Sequence, residues 1–520
     1  MVFRDFVKYA NIKGYVRKTR LFYDYPFFMN SIVFNNAKNG LLSCSYNGKP
    51  LHSMYNPQNE ADRFIQQIEC NFIPKVICII EPCISYCAAP LRIKYSNCKI
   101  ICIRHQKDFS QFDNLFDKVF YYDESINFEN QFFDYLGEEQ ICSTFFINWP
   151  NSANLFINET TGIWTALKKI LEKASSILYT HEVFAKRWFL NSIKILKNAK
   201  TLGTIKKIDS PVVIACSGPS LQNCLNILET NRKKVFLIAV SSGLSALLQN
   251  NITPDLVIST DGGFWAKKHL EPLLQYDIPL AICQEGNVHP QILNNRTIIP
   301  LIYNDGIECK LFIPFINNPV FAKRNGTVSG TAGELALEIT DYPVYAFGLD
   351  LCPSKGPQHA KPNLNEAYNS LKDNRISPLE CRNTRSRFNS QSLTIYHDWF
   401  ESRTESKWNR FYRVSKAGDL DKNNKLGKIK DIDIYEFEIQ LKNSKETSYE
   451  IEKYTKKDNK DLNLIIKNII NSENWLKNMF PMDYLTYQKM QDDSQKQQKL
   501  KEIMLKNNDF IKKIQRVIRG

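Results

Sequence analysis

Short apolar runs that end at small polar or glycine-containing turns recur through the middle of the chain. Residues 212–215, 235–240 and 255–260 form three such runs, and their length and β-branched content predict strands that are buried on both faces. Between the runs, apolar residues stand three or four positions apart, as on one face of a helix. After the first run these positions are Leu221, Cys224, Leu225 and Leu228. The alternation predicts an α/β fold with a central, Rossmann-like open sheet.

Further apolar runs extend this pattern in both directions. Residues 343–347 predict another strand of the central sheet, whereas residues 75–80, 99–103 and 118–122 predict a separate αβ layer nearer the amino terminus. Residues 81–86 follow the first of those strands and contain no glycine. A nucleotide-binding turn at this place is typically glycine-rich, so the amino-terminal layer is predicted to be a degenerate Rossmann-like domain that does not bind a nucleotide and instead recognises a protein.

Helical spacing dominates two other stretches. Residues 162–199 carry aligned apolar positions and predict a helical bridge, and helices are again predicted beyond Trp408. Those carboxyl-terminal helices are expected to pack on the chain's own core or to pair with a partner helix, while residues 421–427 and 442–461 predict linkers or exposed faces. The predicted domains are an αβ domain at 1–160, a helical linker at 161–205, a Rossmann-like domain at 206–405 and a mainly helical domain at 406–520.

Length and charge narrow the class of protein. The chain has 520 residues, 43% of them hydrophobic, which is more than one typical core accommodates. Its net charge of +14 raises the question of nucleic-acid binding. Zinc-finger spacing, the aromatic signature of RNA-recognition motifs and arginine-rich runs do not occur in the sequence, so nucleic acid is not an expected partner.

Cysteine usage and hydropathy bear on the compartment. The fourteen cysteines lie mostly inside apolar runs and form no Cys-x-x-Cys pair, which predicts reduced, buried thiols. Cys98, Cys102 and His105 are loosely metal-like, but two cysteines on one strand face are more simply core. The sequence has no hydrophobic signal core at its amino terminus and no run long enough to cross a bilayer. A cytoplasmic location is expected.

The turn after the first central strand carries the clearest chemical signal. Ser217, Gly218, Pro219 and Ser220 follow the strand directly and precede the helical positions given above. Glycine allows a tight turn, and proline suits the first position of a helix, where its missing N–H has no partner to lose. The free N–H groups and positive dipole end of a helix start favour an anionic ligand. An ordinary strand–turn–helix corner would give the same pattern.

Polar residues follow the other central strands in the same way. Ser241 follows the second strand, Asp261 the third, and Asp350 the strand at 343–347, and His359 lies in the polar loop beyond it. Residues 325–331 precede another helical pattern and include Ser329, Gly330 and Thr331, and Thr331 with Glu334 fits a capping box. Because ligands of open α/β sheets bind outside the carboxyl ends of the strands, these residues are predicted to share one crevice.

Several of these motifs together resemble a known family. Ser-Gly-Pro-Ser-Leu at 217–221, Val-Ser-Gly-Thr-Ala at 328–332 and Phe-Gly-Leu-Asp-Leu at 347–351, followed by His359, look like the motility accessory factor (Maf) proteins, which are flagellin glycosyltransferases. The phrase at 50–57 is similar to the amino-terminal domain of that family, so the resemblance covers roughly the first four hundred residues. The central block is also similar to bacterial sialyltransferases that use CMP-activated nonulosonic acids.

The resemblance implies a donor, an acceptor and site residues. It implies transfer of a pseudaminic, legionaminic or sialic type of sugar from a CMP-activated donor to serine or threonine hydroxyls of flagellin. Residues 217–220 would meet the phosphate or ribose, Ser329 and Gly330 the nucleotide, and Asp350 would organise the loop of the base, His359. Ser241, Asp261 and Thr331 complete the predicted donor-binding set. The chain departs from the sialyltransferases at Cys216-Ser217, where they have Gly-Asn, and at Cys352, where they have a tyrosine.

The chemistry is consistent with that assignment. A CMP-linked sugar already has a good leaving group, so the enzyme must hold phosphate, exclude water and deprotonate a hydroxyl, and histidine suits the last task near neutral pH. His359 is the first candidate and His397, beside Asp398, the second; a surface histidine without a role is the alternative. Asp261 has no Asp-x-Asp partner, so no cofactor and no divalent metal are expected.

Two other functions fit part of the sequence. An archaeal pterin pyrophosphokinase family shares the Gly-Pro-Ser-Leu and Gly-x-Asp-Leu blocks and would require ATP and magnesium. A non-catalytic flagellin-binding assembly factor that kept the nucleotide fold would account for the departures at Cys216 and Cys352.

Overall fold

A computed structural model describes residues 31–123, 126–352, 356–379, 387–419, 424–456 and 462–519. The amino-terminal segment on which the predicted absence of a signal peptide depends lies outside these residues. The chain divides into two compact units, residues 1–176 and 177–520. Within the described ranges, no helix combines the length and the apolar character that crossing a bilayer requires.

The first unit contains a three-stranded antiparallel sheet and a four-stranded parallel sheet. The strands are β1 (Ile32–Asn36), β2 (Leu42–Tyr46), β3 (Lys49–Pro50), β4 (Val76–Ile80), β5 (Lys99–Arg104), β6 (Lys118–Tyr121) and β7 (Thr144–Asn148). The helices are α1 (Pro57–Gln67), α2 (Ala88–Lys94), a 3₁₀ helix (Lys107–Leu115), α3 (Ile126–Cys142), α4 (Pro150–Leu155) and α5 (Ile157–Asn198), whose later residues belong to the second unit.

The parallel sheet of the first unit has the order β6-β5-β4-β7. The three strands predicted from apolar runs are confirmed as β4, β5 and β6, and every residue of β4 is buried. The chain moves from β4 to β5 and β6 on one side and returns to β7 on the other side, so the strand order reverses between β4 and β7. That reversal is where an α/β sheet normally binds its ligand.

The second unit is built on one large sheet of eleven strands with the path β17-β16-β15-β9-β10-β11-β12-β13-β8-β18, and β14 pairs with β13. All pairs are parallel except β18 with β8. The strands are β8 (Thr201–Ile205), β9 (Val212–Ala215), β10 (Phe236–Val240), β11 (Leu256–Ser259), β12 (Leu280–Cys283), β13 (Thr297–Ile302), β14 (Val320–Phe321), β15 (Val344–Phe347), β16 (Phe411–Ser415), β17 (Lys430–Asp433) and β18 (Ile451–Thr455).

Helices cover both faces of this sheet, and two hydrophobic cores lie on its opposite sides. The helices are α6 (Leu225–Thr230), α7 (Leu244–Gln249), α8 (Phe264–His269), α9 (Pro290–Asn295), α10 (Cys309–Phe312), α11 (Val328–Ile339), α12 (Leu364–Ser370), α13 (Arg387–Glu401), α14 (Ile434–Leu441), α15 (Leu462–Ile470), α16 (Trp475–Met479), α17 (Pro481–Lys489) and α18 (Asp493–Arg519). Short 3₁₀ helices are Pro219–Cys224, Arg232–Lys234, Ser241–Gly243, Glu271–Leu274, Ile313–Phe315 and Ser406–Arg410. The predicted α/β class is confirmed.

The predicted separate carboxyl-terminal domain at 406–520 is wrong. Strands β16 and β17 extend the large sheet beyond β15, and β18 pairs with β8 at the other edge. Apolar residues of α15 and α18, such as Ile466 and Ile514, belong to the same core as strands β9 and β10. The error has a physical reason, because edge strands such as β18 are half-exposed and charged and therefore show no continuous apolar run.

Two further boundaries differ from the prediction. Residues 442–461 were predicted to be a linker or an exposed face, but β18 (Ile451–Thr455) lies within them. Residues 161–205 were predicted to be a helical linker, yet they end in β8, a strand of the large sheet. Both errors arise because short strands at a sheet margin are stabilised by pairing partners distant in sequence, which a local pattern does not reveal.

Candidate functional site

The candidate site lies where the order of the large sheet reverses. Strand β9 is the neighbour of both β15 and β10, with Ala215 paired to Phe347 on one side and to Ala239 on the other. From β9 the chain proceeds through β10 to β13, whereas from β15 it proceeds to β16 and β17 on the opposite side. The connections after β9 and β15 therefore diverge and leave a crevice at the carboxyl ends of these strands.

The turn after β9 is fastened to the turn after β15. The amide of Gly218 donates to the carbonyl oxygen of Gly348 over 2.9 Å. The amide of Ser220 donates to Asp350 Oδ2 over 2.9 Å, and the Ser220 hydroxyl donates to Asp350 Oδ1. Burial raises the pKa of Asp350, and the two hydrogen bonds from Ser220 oppose that rise. Asp350 is thus a structural partner of the Gly-Pro-Ser turn.

Glycine is required at two positions in this contact. A Cβ at Gly218 would lie 2.6 Å from the Gly348 oxygen and 2.7 Å from the Asp350 carboxylate. Gly348 has a φ of +68° and would bring a Cβ to 2.9 Å from that of Leu221. The two turns can approach so closely only because both residues lack a side chain.

This arrangement changes the predicted anion-binding site. Free N–H groups were predicted at the helix start, residues 218–220. The Gly218 and Ser220 amides instead donate to residues of the turn after β15, and Pro219 has no N–H. The segment after Pro219 is moreover a 3₁₀ helix, Pro219–Cys224, before α6 begins. The internal carboxylate of Asp350 therefore occupies the place at which a phosphate was predicted to bind.

The first turn of α11 lies beside this turn and provides an alternative. Ser329 is half-exposed, and its side chain lies beside that of Cys216, the residue that follows β9. Within the described ranges, the backbone amides of Val328, Ser329 and Gly330 have no protein acceptor, as expected of the first turn of a helix. The positive end of a twelve-residue helix thus faces the crevice.

The other predicted residues of this segment are turned into the protein. Thr331 is 2% exposed, donates to Asn325 Oδ1 over 3.2 Å and interacts with Tyr303. Its side chain is therefore not accessible to the predicted sugar donor. The predicted capping box of Thr331 with Glu334 is wrong, because α11 begins at Val328 with Thr327 as its cap residue. Gly330 is buried, and a Cβ there would lie 2.9 Å from the Trp399 ring, so its small size serves packing.

The loop that carries His359 lies over the turns after β9 and β10. The Ala360 amide donates to the Ser217 carbonyl oxygen over 2.9 Å, and Asn363 Nδ2 donates to the Ser242 carbonyl oxygen over 2.9 Å. The Lys361 amide donates to Gln222 Oε1 over 3.1 Å. The structure therefore brings His359 next to Ser217 and to the Gly-Pro-Ser turn.

His359 has a carboxylate partner that sequence reasoning missed. Its Nδ1 lies 3.1 Å from Oε1 of Glu366, a residue of α12 whose side chain is 4% exposed. The same oxygen accepts the amide of Gln358 over 2.8 Å, and the Glu366 amide donates to Asn363 Oδ1. A buried carboxylate on Nδ1 fixes the orientation of the imidazole and leaves Nε2 for proton transfer. No pattern around Glu366 indicates this role, because the pairing depends on how the loop folds back.

Other predicted and unpredicted polar residues lie at the ends of the neighbouring strands and helices. Burial, and then the neighbouring His359, lower the pKa of His269 at the end of α8. Asp261 is exposed, acts on His269 electrostatically and accepts the Gly263 amide at Oδ1 over 2.8 Å. Ser241 is only 5% exposed and is thus largely inaccessible to a ligand, whereas Ser217 is half-exposed. Of the predicted set, Asp261 is exposed, and the partly exposed residues are Ser217, Gly218, Pro219, Ser329, Asp350 and His359.

A second polar cluster at the same sheet edge also escaped prediction. Arg324, after β14, donates to Asp305 over 2.9 Å and to Glu285 Oε2 over 2.7 Å, and its guanidinium lies over the Tyr303 ring at 4.6 Å. Glu308 is buried beside them, and burial followed by the charge of Glu285 raises its pKa to about 8. These residues come from three different loops, so only the folded sheet brings them together.

One group in the described ranges has the ligand spacing of a metal site. It consists of His397, Asp398 and Glu401 on α13, and both carboxylates are exposed. No contact in the described part of the chain joins His397 to His359 or to the Gly-Pro-Ser turn. Exposed carboxylates on one helix face are weak ligands by themselves. Independence of a divalent metal and of a cofactor stays a prediction.

The strands at which the order of the large sheet reverses are similar to a known sequence family. A family model described as "6-hydroxymethylpterin diphosphokinase MptE-like" matches residues 186–356, about a third of the chain. The matched range includes the Gly-Pro-Ser turn, α11 and Asp350 and ends before His359 and Glu366. The chain is therefore similar to that family over the half of the candidate site that contains the Gly-Pro-Ser turn and not over the histidine loop.

The chain is also similar to two curated proteins and one solved structure. Two proteins of Treponema pallidum (strain Nichols), both described only as uncharacterized, are 29% identical over 287 residues and 23% identical over 216 residues. These matches cover 54% and 40% of this chain. The structure of a Maf glycosyltransferase from Magnetospirillum magneticum AMB-1 covers 64% of this chain at 14% identity and a TM-score of 0.45. A likeness at this level carries no functional argument.

The chain spans only part of each relative. It covers 62% and 37% of the two Treponema proteins and 61% of the Maf glycosyltransferase chain. What those whole proteins do is therefore not transferred to this chain.

Proposed function

We propose that the second unit is a glycosyltransferase that moves a nonulosonic acid from a CMP-activated donor to serine and threonine hydroxyls of flagellin. The observation that carries the proposal is the meeting, at one switch point, of the open first turn of α11, the half-exposed Ser217 and the His359–Glu366 pair. The motif resemblance to Maf proteins and to CMP-sugar sialyltransferases supplies the donor and acceptor classes. CMP-sugars and unexported flagellin meet in the cytoplasm, where we place the reaction.

The first turn of α11 holds the donor phosphate in this proposal. Its free amides and positive dipole end suit an anion. Ser217 follows β9 and Ser329 lies beside Cys216, and both are half-exposed. The Gly-Pro-Ser turn and Asp350 act as a rigid support rather than as phosphate ligands, since their donors and acceptors already satisfy one another. Cys216, at which the chain departs from the sialyltransferases, fits this support role because its side chain is buried beside Ser329.

His359 acts as the general base. Its Nε2 takes the proton of the acceptor hydroxyl while the acceptor oxygen forms a bond to the anomeric carbon, and the bond from that carbon to the phosphate oxygen breaks with its electron pair on CMP. Glu366 holds Nδ1–H and stabilises the imidazolium that forms. Glu366 is therefore a positioning residue for the reaction.

Intact-mass measurement of flagellin tests the proposal. Flagellin is co-expressed with this chain and a CMP-nonulosonate pathway, and a mass increase of one or more nonulosonic acid residues is expected. His359→Ala should reduce the transfer rate about 10²-fold or more, the range in which loss of a general base falls. Absence of any mass increase with the unaltered chain would contradict the proposal.

Matched variants separate the two histidine candidates. His397→Ala changes a histidine that also has carboxylate neighbours, and it should leave transfer within about twofold of the unaltered chain. Glu366→Gln should lower the rate about tenfold or more and shift its pH profile, because the amide changes the partner of Nδ1. An unchanged transfer rate in His359→Ala together with a reduced rate in His397→Ala would identify His397 on α13 as the general base.

A second function is favoured by the family match to MptE-like diphosphokinases. In that case the crevice would bind ATP with magnesium, and diphosphate would pass to a pterin hydroxyl with release of AMP. The matched residues contain the support turn but not the His359–Glu366 pair, so this reading leaves the pair without a role. Release of AMP from ATP in the presence of 6-hydroxymethylpterin and magnesium, with no binding of CMP, would establish it.

A further inference from the structure

We infer that the ion pair between Glu285 and Arg324 fixes the first turn of α11 in place, which makes Arg324 a positioning residue for the anion that this turn holds. The inference rests on the proposed binding of the donor phosphate at α11. Arg324 lies in the connection between β14 and α11, shortly before the helix begins at Val328.

The first turn of α11 is not fixed by a capping side chain. Thr327 occupies the cap position, and among the described residues its side chain makes no capping hydrogen bond. A capping side chain stabilises a helix start by accepting from one of the unsatisfied amides, and an amide satisfied in this way is no longer available to an anion. A helix start that keeps its amides free must therefore be held by contacts outside the turn.

Arg324 supplies such contacts, because it ties the connection before α11 to two strand ends of the sheet. Glu285 follows β12 and Asp305 follows β13. Nη1 of Arg324 donates to Glu285 Oε2 over 2.7 Å, Nη2 donates to Oε1 of the same carboxylate, and Nε donates to Asp305 over 2.9 Å. A bidentate contact fixes the orientation of the planar guanidinium as well as its position.

Two aromatic rings hold the same guanidinium. It lies 4.6 Å from the centre of the Tyr303 ring and 5.2 Å from that of Trp188. Glu285 is 3% exposed and the Arg324 side chain 24%, so the ion pair is largely shielded from water. Tyr303 also interacts with Thr331 in α11, so the cluster contacts both the connection and the helix itself.

The position of Arg324 reaches the helix through the next residue. Asn325 is 8% exposed, and its Oδ1 accepts the Thr327 amide and the Thr331 hydroxyl, each over 3.2 Å. A displacement of Arg324 therefore moves Asn325 and, with it, the cap residue and the first turn. The free amides that suit a phosphate depend in this way on an ion pair that does not itself contact the ligand.

Hydrogen exchange and calorimetric titration of the full chain test the inference. Arg324→Lys keeps the charge, but a single ammonium cannot reproduce the bidentate contact and also bond Asp305. Exchange of the α11 amides should become about tenfold faster or more. CMP should bind about tenfold more weakly, whereas affinity for cytidine, which lacks the phosphate, should stay within about twofold. The difference between CMP and cytidine separates positioning of the anion from a general loss of structure.

Arg232→Lys is the matched control. Arg232 pairs with Asp255 over 2.7 Å in the same unit, and the two side chains are 22% and 10% exposed. This pair lies before β10 and β11, at the opposite edge of the sheet from α11's first turn. The control should leave α11 exchange and CMP affinity within about twofold. Glu285→Gln is a second variant for the case that Arg324→Lys does not fold, and it should change the three readouts in the same direction as Arg324→Lys.

Equal α11 exchange in the two arginine variants, or equal losses of CMP and cytidine affinity in Arg324→Lys, would overturn the inference. CMP affinity that is unchanged in Arg324→Lys would contradict the positioning role alone. An unaltered chain that binds inorganic diphosphate but not CMP would contradict the proposed donor alone, and the same comparison of variants would then be made with diphosphate. A chain that binds neither probe would contradict both proposals.

Discussion

The four-stranded sheet of the first unit and the eleven-stranded sheet of the second unit both reverse their strand order. The two crevices that result differ. In the first unit, Glu81 after β4 turns its carboxylate back onto the amides of His105 and Gln106, over 2.9 and 3.0 Å. The buried guanidinium of Arg104 neutralises it and also binds Asp113. In the second unit, Asp350 is used in a similar way on Ser220, yet the first turn of α11 stays open beside it.

The first unit fills its crevice with its own residues. The segment before α1 enters it, so that the Ile84 amide donates to His52 Nε2 over 3.1 Å and Trp149 Nε1 donates to the Leu51 carbonyl oxygen over 2.9 Å. His52 is 1% exposed. In the first unit, an internal carboxylate and the segment before α1 occupy the crevice. In the second unit, Asp350 supports one turn and the His359 loop lies over the neighbouring turns, and our proposal uses the first turn of α11 beside them.

The largest effect is expected from breaking the closed crevice. Arg104 bonds the Cys83 carbonyl oxygen and Ser85 Oγ, and Cys83 and Ser85 have φ of +51° and +70°. Arg104→Met leaves Glu81 buried without its cation and releases this strained turn. The free energy of unfolding of the first unit should therefore fall by about 3–5 kcal/mol. Hydrogen exchange of β4 and β5 in the full chain measures this.

Arg92→Met provides the control in the same unit. Arg92 forms an exposed ion pair with Asp117 over 3.0 Å, and its removal should change stability by less than about 1 kcal/mol. Equal effects of the two variants would show that the Glu81 cluster does not hold the closed crevice.

The next effect concerns the support of the open crevice. Gly218→Ala brings a Cβ to 2.6 Å from the Gly348 oxygen, and the two turns must separate. The free energy of unfolding of the second unit should fall by about 2–3 kcal/mol, which denaturant unfolding measures. CMP affinity should fall by more than about tenfold, which calorimetric titration measures. Gly263→Ala meets only the flexible Asp261 side chain, at 3.1 Å, and should cost about 1 kcal/mol or less.

The third prediction concerns the buried carboxyl of Glu308 at the open edge. Its pKa is raised from 4.5 to about 8, so the folded chain retains a proton that the unfolded chain has lost between these values. The free energy of unfolding therefore falls as pH rises from about 4.5 to about 8. Glu308→Gln removes the ionisation and should make the chain more stable than its parent by about 2 kcal/mol at pH 9, with little difference at pH 5.

Denaturant unfolding at the two pH values measures the effect of Glu308→Gln. Glu338→Gln is the matched variant, because Glu338 lies on the surface of α11 with Lys407 as an exposed partner. It should change stability by less than about 1 kcal/mol at either pH. A Glu308→Gln variant that is less stable at pH 9 would contradict the prediction.

The smallest effect on folding is expected at Ser217. In the described part of the chain its hydroxyl has no hydrogen-bond partner, while its carbonyl oxygen accepts the Ala360 amide. Ser217→Ala should leave stability within about 0.5 kcal/mol and weaken CMP binding about tenfold, because only a ligand uses the hydroxyl. Calorimetric titration beside thermal unfolding tests both parts, and a stability loss with unchanged CMP affinity would make Ser217 structural.

Much of the architecture could be predicted from local sequence. The strands β4, β9, β10 and β15 are continuous apolar runs, and a buried parallel strand requires such a run whatever lies beside it. The strands β17 and β18 could not be predicted, since each has exposed and charged positions and is held by a distant partner. The His359 loop could be predicted from its polarity, but Glu366 could not, because its role depends on a turn that returns α12 to the histidine.

The sequence by itself determined the alternation of strands and helices, the glycines of the two facing turns and the polar residues at the strand ends. These features are local, since side-chain periodicity and turn geometry involve neighbours a few positions apart. Only the tertiary structure decided that Asp350 binds the Ser220 turn, that α11 provides the open helix start and that Glu366 holds His359. Each of these contacts joins residues from different loops, and the order of strands in the sheet determines which loops meet.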